Sequence, residues 1–237
     1  MFELYFKRYL SKGWSFKRKM KYKIDLHVHT NFSRDSNITI EELRNKSLLH
    51  GINVVAITDH NTIKGALIAK KEIKEIKIIV GEEILTKEGE IIGLFLDSEI
   101  EPFLSASETI KQIREQRGLV YIPHPFSFFR NAIKNSAKVS LIDEFDIIES
   151  FNAKSLPYEN FLAEEFAAKN RKIVAAGSDA HSIEGFGKTY SYVETESEIS
   201  RENLVEILSK AKIVGKYFFI ENIFYKISAS FQKRKEL

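Results

Sequence analysis

From residue 21 onward, short runs of β-branched and aliphatic residues alternate with helical stretches, and that alternation leaves few folds open. The runs Lys23–His29, Asn53–Thr58, Lys77–Ile84, Glu90–Leu96, Leu119–Ile122, Phe145–Glu149, Lys172–Ala176 and Tyr190–Glu194 read as strands. Between them, Thr39–His50 reads as a helix with Thr39 as N-cap, Glu42 closing a capping box and Gly51 at the stop. Further helices are expected at Thr62–Lys74, from a Ser105/Glu108 capping box to Gly118, at Tyr158–Asn170, and at Arg201–Lys212 behind Ser200. Six or seven strand–helix units imply an α/β chain on a parallel sheet, closed into a barrel rather than left open.

A chain of 237 residues, 43% of them apolar, holds one sizeable core without staples, and its lack of cysteine excludes disulfides, thiolate metal sites and cysteine nucleophiles. The net charge of +3 is segregated: residues 1–19 and 210–237 carry +5 each, which leaves −7 on the body. An acidic body does not fit a duplex-binding module, so stable duplex DNA binding is not expected. No apolar run approaches the length of a membrane span, and the basic, aromatic N-terminus lacks a signal-peptide core. The expectation is a soluble cytoplasmic protein with three parts: a basic extension (1–19), a catalytic domain starting at Met20 (20–212), and an aromatic, basic tail (213–237) packed on the barrel.

Five of the six histidines fall at the ends of these strands. His27 and His29 are two apart and share a strand face, with Ile24, Leu26 and Val28 expected on the opposite face toward covering helices. Asp59 and His60 follow the second strand, Glu83 closes the third, His124 follows the run ending at Ile122, Glu149 ends another, and Asp179 and His181 follow Ala176. The C-terminal ends of barrel strands are where such folds build active sites. One strand histidine is more often a satisfied core residue than a ligand, but this convergence implies a metal site of imidazole and carboxylate donors. The donors outnumber what one ion uses, so two or three divalent ions are expected, arranged for hydroxide attack at phosphorus. His50 has no such company and reads as a surface or capping residue.

The motifs Asp-Leu-His27-Val-His29-Thr, Ser33-Arg-Asp35-Ser, Ile-Thr-Asp59-His60, Gly-Glu-Glu83-Ile, His124-Pro, Glu149-Ser-Phe-Asn152-Ala and Gly-Ser-Asp179-Ala-His181 together resemble those of the PHP (polymerase and histidinol phosphatase) family. The resemblance runs from about residue 22 to 195. It implies a distorted (β/α)7, TIM-like barrel with metals at the C-terminal ends of the strands, and hydrolysis of phosphomonoesters or phosphodiesters. Carried over position by position, it makes His27, His29, Glu83 and Asp179 ligands of a first metal, with Glu83 bridging to a second held by His124. Asp35, His60 and His181 would bind a third. The metals implied are manganese, iron or zinc.

Asp59 resembles a site carboxylate, either supporting the ligands or transferring a proton. Arg130 resembles a phosphate-binding arginine, against the reading of a solvated loop residue, and Lys154 would play a weaker version of that role. Arg34, beside Asp35, is expected to be merely exposed. One departure stands out. Relatives often carry a histidine where this chain has Glu90, which is either a harder ligand, favouring manganese or iron over zinc, or an ordinary strand residue. The substrate expected is a small nucleotide or short oligonucleotide. Histidinol phosphate and a non-catalytic accessory module are the alternatives. A C–N hydrolase would need a metal-bridging lysine after a strand, which the sequence does not offer in a suitable place.

Overall fold

The computed structural model describes residues 19–218, and its geometry starts from the first strand. Strand β1 (Met20–Val28) pairs in parallel with β2 (Val54–Ile57), which pairs in parallel with β3 (Lys77–Thr86). β3 turns through the Lys87-Glu88 hairpin into antiparallel β4 (Gly89–Leu94), and β4 pairs antiparallel with β5 (Leu119–Ile122). Parallel pairing resumes through β6 (Ile147–Asn152) to β7 (Ile173–Gly177). The sheet curls into a nearly closed barrel. Its seam is sealed where the Asp179 amide donates to the His27 carbonyl at 2.8 Å and the His29 amide to that of Ala180 at 3.1 Å. Below this point β8 (Tyr190–Thr195) takes the free edge of β1 in antiparallel pairing, and Ser191 Oγ accepts the Ala176 amide at 3.0 Å. The all-parallel sheet read from sequence is thus corrected at β4 and β8.

The helices are α1 (Ile40–His50), α2 (Lys64–Glu72), α3 (Ala106–Glu115), α4 (Asn135–Ser140), α5 (Pro157–Lys169) and α6 (Leu204–Leu208). The capping boxes at Thr39/Glu42 and Ser105/Glu108 both form, and Gly51 ends α1 in the left-handed conformation. The last helix is shorter than its expected span. It stops at Leu208 once Leu204, Ile207 and Leu208 are buried, and the β-branched Ile213 and Val214 pair with β8 as strand β9 (Lys212–Val214). The start of the C-terminal tail packs on the barrel: the Phe218 amide donates to the Ala153 carbonyl at 2.8 Å, and the Tyr217 ring lies 5.0 Å from that of Phe151. The expectations for residues 1–18 and for the tail from 219 onward lie outside the described residues.

Two apolar layers form the core. One lies between sheet and helices and includes Leu43, Ala66, Ile110, Ile113 and Ala167. The other fills the barrel with Ile24, Leu26, Val54, Ala56, Ile79, Ile92, Leu94, Tyr121, Ile147 and Ala175, closed at the bottom by α6. This corrects the reading of β1. Ile24 and Leu26 belong to the barrel interior, and only Val28 joins the layer under the helices. A register shift between Asp25 and Val28 inserts one residue and reverses the side-chain alternation, so His27 and His29 face inward above the apolar plug.

Candidate metal centre

The inner part of the barrel mouth is built on strands and the residues just beyond their ends. On β3, Ile79, Gly81 and Glu83 share the interior face, and on β4 so do Glu90, Ile92 and Leu94. Because β4 runs antiparallel, its first residues are at the mouth, and this puts the Glu90 carboxylate 3.7 Å from His124 Nε2. Glu83 stands at the centre. Its Oε2 lies 3.3 Å from His27 Nε2, 3.2 Å from His29 Nε2 and 3.1 Å from His60 Nδ1, while its Oε1 lies 3.2 Å from His124 Nε2.

The far sides of these imidazoles are fixed. His27 Nδ1 donates to Glu149 Oε1 at 3.0 Å. His29 Nδ1 donates to Ser33 Oγ at 3.0 Å, since that hydroxyl already gives its proton to Asp59 Oδ1 at 3.1 Å. Each neutral ring therefore presents a bare Nε2, and the two Nε2 atoms face each other at 3.1 Å. Only a shared cation makes such an approach favourable. Without metal a proton takes that place. Burial alone would depress His27, but the Glu83, Glu149 and Asp179 carboxylates outweigh it and hold the imidazole well above its usual range. His29, buried beside His181, is held well below its own.

Glu149, which the sequence places only at a strand end, takes a definite role here. It is fully buried, and its oxygens accept from His27 Nδ1, from the Tyr121 hydroxyl at 3.0 Å, from the His124 amide at 2.6 Å and from Asn152 Nδ2 at 2.9 Å. Burial opposes its ionisation, but the adjacent His27 keeps it below the ordinary glutamate value. Gly177 makes room for it, since a Cβ there would sit 2.0 Å from Glu149 Oε1. The visible signal was its place on the same face as Ile147 at a strand end.

The outer part of the mouth rests on loops. His181 Nε2 lies 3.2 Å and His60 Nε2 3.7 Å from Asp35 Oδ2, and the rings of His60 and His181 approach His29 at 4.5 and 4.1 Å. Asp59 is not among these donors. Its oxygens accept the Thr30 amide at 2.6 Å, the Thr30 hydroxyl at 2.7 Å and Ser33, so it fastens the loop behind His29. Of the two roles open to Asp59, these contacts match the supporting one.

Arg130 is not a solvated loop residue. Its guanidinium donates to Ser127 Oγ at 3.0 Å, to Asn152 Oδ1 at 2.9 Å, and to Ser155 and Asp179. Lys154, two residues past β6, reaches Asp179 Oδ1 at 3.1 Å and His181 Nδ1 at 3.0 Å. This places Lys154 at the mouth, beside Arg130, where the resemblance implies a second cation for phosphate. His50 lies away from the mouth at the end of α1, where its carbonyl accepts Lys23 Nζ.

The PHP domain family matches residues 25–232. The chain belongs to this family. An uncharacterised protein of Methanocaldococcus jannaschii is 44% identical over 143 residues, covering 55% of this chain and 82% of that protein. A 5'-3' exoribonuclease of Haemophilus influenzae is 37% identical over 107 residues, covering 42% of this chain and 38% of the exoribonuclease. Among solved structures, a two-domain Bacteroides vulgatus protein containing a predicted PHP-like metal-dependent phosphoesterase superposes with a TM-score of 0.68 at 16% identity, over 84% of this chain and 66% of that one. Endonuclease Q, in complex with a 27-mer duplex bearing an abasic lesion, does so with a TM-score of 0.62 at 18% identity, over 80% and 57%. These structures establish a shared fold.

The donors of this PHP mouth fit metal ions. Among the described residues, four groups each have atoms within 4.8 Å of one another: His29, His60 and His181; His27, His124 and Asp179; His27, His29 and Glu83; and Glu83, Glu90 and His124. Burial and the Glu83 charge raise the Glu90 carboxyl, whereas Lys154, His27 and Arg130 outweigh burial at Asp179 and hold it well below the usual range. Two of the candidate ligands are held in strained backbone: Asp179 has φ 50°, and His124, although followed by Pro125, has φ 26°. Such strain persists where the surroundings overdetermine it, here through the His124 amide on Glu149 and the Asp179 amide on His27. Above the donors opens a cavity of about 590 Å³. No helix among the described residues is long and apolar enough to cross a membrane.

Proposed function

We propose that this PHP protein hydrolyses phosphoester bonds in small nucleotides or short oligonucleotides with two or three divalent ions. The observation that carries the reading is the set of donors around Glu83, whose two oxygens serve different imidazoles beneath the cations Arg130 and Lys154. Bound there, divalent ions would supply Lewis acidity and an activated water. His27, His29, Glu83 and Asp179 would hold the inner ion, His124 and Glu90 its neighbour, and Asp35, His60 and His181 an outer one. Glu90 adds a hard donor, which favours manganese or iron over zinc. Arg130 and Lys154 orient the phosphate by charge-assisted hydrogen bonds.

A cavity of about 590 Å³ admits a nucleotide rather than a bare phosphate. The exoribonuclease and endonuclease names among the relatives agree with a nucleic-acid derivative as substrate. We read residues 20–212 as the catalytic unit, acting in the cytoplasm. A panel of bisphosphorylated nucleotides, mononucleotides, histidinol phosphate and short RNA with manganese tests the reading. The expected result is hydrolysis of nucleotide or oligonucleotide that ends on chelation. Turnover of histidinol phosphate alone, or of no ester, would overturn it.

A further inference from the structure

The loop after β5 and the first two turns of α5 expose four aromatic side chains beside the metal cavity, one of which lines it. Phe128 is 76% and Phe129 80% exposed, and on α5 Tyr158 is 63% and Phe161 54% exposed. Exposed aromatic rings cost solvation, and within these two segments every exposed large apolar side chain is a ring. The segments form one rim, because the Phe128 amide donates to Glu159 Oε1 at 2.9 Å and the other oxygen of that buried carboxylate accepts the Leu156 amide at 2.9 Å. Tyr158 and Phe161 lie nearly parallel, 24° apart with centroids at 6.4 Å. Phe129 lines the same cavity as Glu83, His124 and Arg130.

We propose that this rim is a stacking platform for the unpaired bases of a single-stranded nucleic acid whose phosphate enters the cavity. The proposal rests on the phosphoesterase reading above and names its substrate more narrowly. Phe129 lines a cavity whose cations, Arg130 and Lys154, attract a phosphate, and the other three rings flank its lining residues Phe129 and Glu159, so a ligand must present an anion and a flat apolar face side by side. A nucleotide chain does both at each residue. Stacking needs free base faces, which a duplex hides within its own stack. An apolar protein segment would satisfy the rings and leave the cations of the adjoining cavity unused.

The test measures binding and turnover separately on the full chain with manganese. Anisotropy of a fluorescein-labelled single-stranded heptanucleotide is compared with that of an equally long abasic sugar-phosphate chain and of the duplex. The wild type should bind the base-bearing strand about tenfold or more tightly than the abasic chain, and more tightly than the duplex. The double variant F128A/F129A should lose most of that preference, and Y158A/F161A part of it. Both pairs are exposed, and circular dichroism checks that the variants fold. Equal binding of base-bearing and abasic strands, or an undiminished preference in both double variants, would overturn the platform. Hydrolysis of glycerol phosphate by the wild type is followed alongside. Its presence without base preference rejects the platform alone, whereas base preference without hydrolysis of any ester rejects the phosphoesterase reading alone.

Discussion

The inner and outer halves of the metal centre use the same residue types under different constraints. His27, His29, Glu83, Glu149 and His124 are all at most 3% exposed, and they sit on strands or immediately after them. Glu149 and Ser33 fix the far nitrogens of His27 and His29. In the outer half the Asp35 side chain is 59% exposed and that of His60 30%, and Asp35 meets its partners from a loop. Burial makes the inner donors costly to leave without a cation, whereas water can serve the outer ones in its absence. The inner half is therefore a prebuilt socket, whereas the proposed outer site would be completed only by its ion.

The largest expected effect comes from breaking the socket from behind. Glu149→Ala leaves His27 Nδ1, the Tyr121 hydroxyl and the His124 amide without their acceptor. Turnover should fall by about 10- to 100-fold or more, with reduced metal content by elemental analysis and a lower Tm, because each buried donor left unpaired costs about 1–3 kcal/mol. Arg130→Ala should lower kcat/KM by about one to two decades, roughly the 1.5–3 kcal/mol of a hydrogen bond to a charged group. Unaltered kinetics would remove Arg130 from substrate binding.

Asp35→Asn touches only the outer half. It should lower the rate by about tenfold at limiting manganese and recover as manganese is raised, which kinetics at several metal concentrations would show. If it behaves like Glu149→Ala, the two halves are one unit.

The smallest effect is on pH dependence without metal. Burial raises Glu82 to about 7, and at His60 burial is outweighed by Asp35 and Glu83, which push the imidazole up to about 9. Both folded values exceed the unfolded ones. The stability they contribute is present at low pH and is lost as pH rises, through about 7 for Glu82 and about 9 for His60. Thermal melts of chelated protein should therefore show a falling Tm from pH 6 to 9. Metal should flatten that slope, because it takes the place of the proton on the imidazoles.

Much of this arrangement was legible in the sequence because strand ends and polar clusters coincide there. The two capping boxes, the order of the β-rich runs and the convergence of His27, His29, His124, Asp179 and His181 follow from local patterns. What escaped depends on pairing between distant segments. The inserted residue in β1 moves Ile24 and Leu26 to the barrel interior, and alternation within one strand cannot reveal a register shift against its neighbour. Glu90 reads as an ambiguous strand residue until the tight hairpin at Lys87-Glu88 reverses β4 and delivers it to the mouth. Asp59 and Glu149 are both carboxylates at strand ends. Only their hydrogen bonds separate them, one fastening the loop behind His29 and the other holding His27 and His124.

In the proposed function, Glu83 organises a buried socket and a separate, more open site for divalent ions that drive ester hydrolysis. The direct measurement is stepwise chelation of manganese-loaded protein, with metal content and phosphatase activity followed together. The expected result is two or three ions per chain, an outer ion lost to weak chelator with partial loss of rate, and inner metal lost only to strong chelator with complete loss. Less than one ion per chain, with activity surviving exhaustive chelation, would contradict it.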